Sequence, residues 1–148
     1  MTAKQMAQAE LVALQQIVDG VKDADTEALE KEIAQAKRIF VGGAGRSLLS
    51  MKGFAMRLMQ TGHETYLVGE VCTPSVQPGD LLIVGSGSGE TKVTLDVVNK
   101  AKGHGARVAV LTMHENSTIA QACDCAVVLA GIPAVSSEDT EASIFAKE

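Results

Sequence analysis

Two segments of this chain set glycines and hydroxyl side chains directly after an apolar run. The first reads Ile39-Phe40-Val41-Gly42-Gly43-Ala44-Gly45-Arg46-Ser47 and the second Leu81-Leu82-Ile83-Val84-Gly85-Ser86-Gly87-Ser88-Gly89-Glu90-Thr91. In each, a buried strand ends in residues that let the backbone turn tightly, and hydroxyls follow where a helical pattern begins. Such a junction suits a phosphate monoester. Backbone N–H groups and the positive helix end attract the dianion, and serine or threonine hydroxyls donate to its oxygens. Glycines in this number cost backbone entropy without any packing return, so the second loop in particular asks for a role beyond turning the chain. Parallel strands bring their β-to-α turns to the same sheet edge, so the two loops are expected to face one ligand. Ser47, Ser86, Ser88 and Thr91 are therefore the candidate phosphate-binding residues, with Arg46 as the cation of the site. Lys52, Arg57 and Lys92 are further cations nearby in sequence.

Fewer residues suit proton transfer. His114 follows an apolar run at the end where functional groups of such sheets collect, and Glu90 lies inside the second loop; these are the candidate catalytic residues. His63 reads as a solvated turn residue. His104 lies between glycines at a helix end, where a cation complements the dipole. Cys72, Cys123 and Cys125 cannot all pair with one another, and Cys123-x-Cys125 lacks a second ligand pair at zinc spacing, so they read as reduced thiols and no metal is expected. Gly43-x-Gly45 with Glu70 downstream loosely imitates a dinucleotide-binding fingerprint, but Leu48 stands at the third glycine position, and that reading leaves the second loop unexplained.

The elements that must hold these residues follow from periodicity. Residues 3–20 carry Leu11, Leu14, Val18 and Val21 at helical spacing, ending at Gly20. Asp25 and Thr26 offer N-cap chemistry for a second helix bearing Leu29, Ile33 and Ala36. From Arg38 onward strands and helices alternate. Strands are expected at Ile39–Val41, Thr65–Val68, Leu81–Val84, Arg107–Leu111 and Cys125–Leu129. Helices are expected at Ser47–Gln60, Thr91–Lys102 (with Val93, Val97, Val98 and Ala101 inward) and Ser117–Cys123. Short apolar runs without alternation are what a parallel sheet covered on both faces requires. The expected fold is α/β: a helical region over 1–36 and one domain over 37–148, a five-stranded parallel sheet in an α/β/α sandwich. The helix that would normally cover the last strand is expected to be missing.

Composition bounds the class. A chain of 148 residues can bury one core, and with 46% apolar and 3% aromatic residues that core is aliphatic. A net charge of −5 argues against a nucleic-acid partner. No apolar run reaches the roughly 18 residues of a membrane span. The N-terminal stretch lacks the apolar centre of a secretory signal, so a cytoplasmic protein without membrane partner is expected.

Longer motifs carry a resemblance. Gly43-Ala44-Gly45-Arg46-Ser47, Phe54-Ala55-Met56-Arg57-Leu58-Met59, Val68-Gly69-Glu70, Thr73-Pro74 and Ser86-Gly87-Ser88-Gly89-Glu90-Thr91 resemble the 6-phospho-3-hexuloisomerases of the sugar isomerase (SIS) domain superfamily. The resemblance implies reversible conversion of D-arabino-3-hexulose 6-phosphate to D-fructose 6-phosphate, in formaldehyde assimilation by the ribulose monophosphate route. It implies no cofactor, a homotetramer with active sites between subunits, and pairing with 3-hexulose-6-phosphate synthase. It assigns Ser47, Ser86, Ser88 and Thr91 to the sugar phosphate and Arg46 to the pocket. Leu48, Gln60 and Ala146 depart from the pattern, standing where glycine, histidine and the glutamate base are usual. The expectation is a chain that binds substrate and isomerises it slowly, with a non-catalytic sugar-phosphate-binding protein as the alternative.

Overall fold

Side-chain alternation along the strands builds two cores, one on each face of a single sheet. The computed structural model describes residues 1–129. In chain order its elements are α1 (Ala3–Gly20), α2 (Asp23–Gln35), β1 (Ile39–Gly43), α3 (Gly45–Gln60), β2 (Thr65–Leu67), β3 (Leu81–Gly85), α4 (Lys92–Gly103), β4 (Arg107–Thr112), α5 (Thr118–Ala122) and β5 (Cys125–Val128). The described strands form a five-stranded sheet in the order β2-β1-β3-β4-β5, and every pairing is parallel. The expectations concerning Ala146 and a helix after the last strand lie outside the described residues.

Odd and even positions part cleanly. Ile39, Val41, Leu81, Ile83, Ala109, Cys125 and Val127 point to one face, where Leu29 of α2 and Met51, Ala55 and Leu58 of α3 meet them. Phe40, Leu82, Val84, Val108 and Val110 point to the other, under Val98 and Ala101 of α4 and Ile119 and Ala120 of α5. The central β3 is buried along its whole length, which is why it reads as an uninterrupted apolar run. Burying each such aliphatic side chain contributes about 1.5–3 kcal/mol.

Strand β2 returns to β3 by a crossover without a helix, held by polar bonds instead. Asp80 is buried and accepts from Arg38 Nε (3.0 Å), Arg38 Nη2 (2.5 Å) and the Gln77 N–H (2.7 Å). The Thr73 hydroxyl donates to the Leu67 carbonyl at 2.5 Å.

Several local expectations change. The second helix starts at Asp23 after Lys22, which makes no side-chain cap. Asp23 and Asp25 instead lie in its first turn, where they complement the helix dipole. Helix α3 begins two residues before Ser47. Val93, expected inward, lies in the first turn of α4 and is 67% exposed. Helix α1 buries no residue at all, so its Leu11, Leu14 and Val18 stripe faces solvent.

Candidate functional site

The order 2-1-3-4-5 puts a topological switch point between β1 and β3, where the connection from β1 runs to one side of the sheet and that from β3 to the other, opening a crevice at the strand ends. Both glycine-hydroxyl loops emerge there. Gly43 and Gly85, the last residues of β1 and β3, are direct register partners. An added Cβ at Gly43 would lie 3.1 Å from the Gly85 carbonyl oxygen. At Gly85 it would lie 2.6 Å from Met51 Cγ and 3.7 Å from the Ser47 carbonyl oxygen. Only a residue without a side chain lets the first turns of α3 settle across the end of β3, and that is what draws Ser47 toward the second loop.

Within the second loop, Ser86 is buried and its N–H extends the ladder to the Leu111 carbonyl (3.0 Å). Its Oγ lies 3.2 Å from Thr91 Oγ1 and accepts from the Gly89 N–H at 3.2 Å. Thr91 is the N-cap of α4, yet its hydroxyl makes no cap bond. Ser88 is exposed, and its Oγ accepts from the Glu90 N–H at 3.2 Å. Among the described residues, the N–H groups of Gly87, Ser88 and Thr91 enter no backbone pairing. The structure thus gathers Ser86, Ser88 and Thr91 in one turn, with Arg46 and Ser47 in the first turn of α3 on the neighbouring strand. Hydroxyls, backbone donors and the starts of two helices converge in this crevice, an arrangement able to hold a dianion.

The loop after β4 supports this turn from beside it. The Met113 N–H (3.1 Å) and Thr112 hydroxyl (3.3 Å) donate to the Gly87 carbonyl, and the Ile119 N–H donates to that of Gly89 (2.9 Å). Sequence reasoning missed this contribution from Thr112, Met113 and Ile119. Ser117-Thr118 before a helical run is an N-cap pattern that could have pointed to it.

The two proton-transfer candidates differ in their surroundings. Both carboxylate oxygens of Glu90 accept from Thr118, Oε1 from its N–H (2.7 Å) and Oε2 from its hydroxyl (2.6 Å). The Thr118 hydroxyl and then its N–H hold the Glu90 carboxyl below the usual range. His114 has an exposed side chain just past the C-terminal end of β4, at the edge that carries the loops.

Other residues lie elsewhere. Gln60 ends α3, roughly 22 Å along the helix from Gly45. His104 is the C-cap of α4. Burial pushes the Cys123 thiol up to about 12, which keeps it protonated and unsuited to nucleophilic or ligand chemistry. A cavity of about 280 Å³ opens between the β2–β3 crossover and α4, lined by Phe40, Val68, Pro74, Val97 and His104 among others, and by none of the loop residues.

Fold and crevice together define an α/β domain with paired glycine-hydroxyl loops at its switch point. The SIS domain family matches residues 32–145, and the chain belongs to that family. It is 42% identical over 118 residues to a 3-hexulose-6-phosphate isomerase of Methylomonas aminofaciens, covering 80% of this chain and 65% of the relative. It is likewise 42% identical over 113 residues to the protein of that name from Bacillus subtilis, covering 76% of this chain and 61% of the relative. The chain thus spans somewhat under two thirds of these curated relatives. Among solved structures, a Methanococcus jannaschii protein with an inferred molecular function of 3-hexulose-6-phosphate isomerase superimposes with a TM-score of 0.76 at 28% identity, covering 97% of this chain and 81% of that one.

Proposed function

We propose that this chain is a sugar-phosphate isomerase that interconverts D-arabino-3-hexulose 6-phosphate and D-fructose 6-phosphate. The observation that carries the reading is the side-by-side departure of the two loops from Gly43 and Gly85. Relatives named for this reaction support it. Ser47, Ser86, Ser88, Thr91 and the loop N–H groups hold the phosphate, and Arg46 adds positive charge. Moving the carbonyl from C3 to C2 needs a base for the C2 proton and a donor for the enediol oxygen. His114 takes the base role here, as the histidine exposed at the loop edge just past β4.

Calorimetry with fructose 6-phosphate tests the phosphate assignment. Losing one charge-assisted hydrogen bond costs about 1.5–3 kcal/mol, so Ser88→Ala and Thr91→Ala should each weaken binding roughly ten- to a hundred-fold. Unchanged affinity in both would remove the assignment, and NAD binding without sugar-phosphate binding would favour a dinucleotide site. Formation of fructose 6-phosphate by the parent, lost in His114→Ala while binding persists, supports the isomerase. Binding without turnover in the parent supports the second reading, a non-catalytic sugar-phosphate-binding protein. That reading draws on Gln60, which bonds Arg57 at 3.1 Å at the far end of α3 and cannot exchange a proton.

The functional form in this proposal is a homo-oligomer. Leu11, Leu14 and Val18 on α1 and Leu49, Met56 and Met59 on α3 are each more than half exposed and recur at helical spacing, as stripes that a second copy would cover. Position 60 could approach a loop crevice only from such a neighbour.

A further inference from the structure

A glutamate inside a loop built to receive a dianion is electrostatically out of place, and its neighbours show what it does there. We infer that Glu90 is a positioning residue: by clasping Thr118 it ties the phosphate loop to the start of α5 and holds Ser88 and Thr91 in place. The inference rests on the sugar-phosphate reading of the site.

The first three N–H groups of α5 have no partners within the helix. Each finds one here. The Thr118 N–H donates to Glu90 Oε1 at 2.7 Å, the Ile119 N–H to the Gly89 carbonyl at 2.9 Å, and the Ala120 N–H to Ser117 Oγ at 3.4 Å. The Thr118 hydroxyl closes the clasp on Glu90 Oε2 at 2.6 Å. Two of the three partners therefore come from the phosphate loop, across 28 residues of sequence for Glu90 and Thr118. Glu90 is flanked by the residues that matter. Its own N–H donates to Ser88 Oγ, and the next residue, Thr91, lies 3.2 Å from Ser86 Oγ. Pinning the Glu90 side chain to a second element fixes the turn between these hydroxyls. Both oxygens are also satisfied at a positive helix end, which reduces the repulsion a bound phosphate would feel.

The sign of one measurement separates this role from the alternatives. On charge alone, Glu90→Ala should tighten fructose 6-phosphate binding; the clasp makes it weaken, by about tenfold for the loss of a charged hydrogen-bonded contact. Glu90→Gln, whose amide can accept from the Thr118 N–H and donate to its hydroxyl, should stay within about threefold of the parent and keep its turnover. Glu90→Ala combined with Thr118→Val should bind no worse than Glu90→Ala, because the second change removes a partner already lost. Amide hydrogen exchange without ligand supplies an independent reading: Glu90→Ala should speed exchange at Gly89, Thr118 and Ile119. Unchanged exchange, tighter binding in Glu90→Ala, or additive losses in the double variant would each overturn the clasp. Glu90→Gln that binds normally but forms no fructose 6-phosphate would make Glu90 the base and overturn it too. A parent chain that binds no sugar phosphate would defeat the functional reading instead, and the exchange arm would still decide the clasp.

Discussion

Replacing Gly89 with alanine is the sharpest test of the idea that the loop after β4 shapes the phosphate turn. An added Cβ at this position would sit 2.0 Å from Ser117 Oγ and 2.2 Å from Ser117 Cβ. Ordinary carbon contacts are about 3.5–4.0 Å, so the loop or Ser117 must yield by more than about 1 Å. Gly89 also has φ +66°, a conformation that costs an L-residue about 1–2 kcal/mol. Displacement endangers the bond from the Gly89 N–H to the Ser86 carbonyl (3.1 Å) and that from the Ile119 N–H to the Gly89 carbonyl. Each contributes about 0.5–1.5 kcal/mol net, for a total near 2–5 kcal/mol with the backbone strain. For a domain of this size that lowers the melting temperature by about 6–15 °C. A shift of about 1 Å in the phosphate turn should also weaken fructose 6-phosphate binding or turnover by roughly a hundredfold. Thermal unfolding and calorimetry read both effects. Ser117→Gly removes the clashing atoms and, as an N-cap exchange, costs only a few tenths of a kcal/mol by itself. Added to Gly89→Ala it should restore part of the loss and leave the strain at φ. Normal melting and normal binding in Gly89→Ala, or no recovery in the double variant, would refute the reasoning.

Gly53 offers the opposite case: it lies exposed within α3 with nothing inside 4 Å of an added Cβ and no positive φ. Gly53→Ala should raise stability by about 0.5–1 kcal/mol, seen as a melting temperature higher by roughly 1.5–3 °C, with binding unchanged. Light scattering at micromolar concentration should give a multiple of the single-chain mass, and Leu14→Glu with Val18→Glu on α1 should lower it; a well-behaved monomer in the parent would refute the oligomer.

Much of the sheet was legible because its strands are buried on both faces. Ile39-Phe40-Val41 and Leu81-Leu82-Ile83-Val84 read as strands because each alternate side chain has a core to enter. The hydroxyl-glycine loops were legible as turns because Ser86, Ser88 and Thr91 stand among glycines between a buried strand and the start of a helix. Helix burial was less legible. Leu11 and Val93 have the spacing of inward residues, but α1 buries none of its residues and Val93 is exposed in the first turn of α4. Apolar periodicity reports which face could be buried, while exposure depends on whether another surface arrives there.

The chain's local order alone determined the strand and helix succession, the parallel α/β class and the residue types able to meet a phosphate. These follow from periodicity, turn chemistry and hydrogen-bonding capacity, all of which act over a few residues. Tertiary structure decided the rest. It brought Gly43 beside Gly85 and let α3 cross the end of β3 where a Cβ would clash with Met51. It also turned the Glu90 carboxylate toward Thr118, which sequence reasoning had left as a candidate base. Such contacts join residues far apart in the chain, and no local pattern can choose among the partners a folded sheet brings within reach.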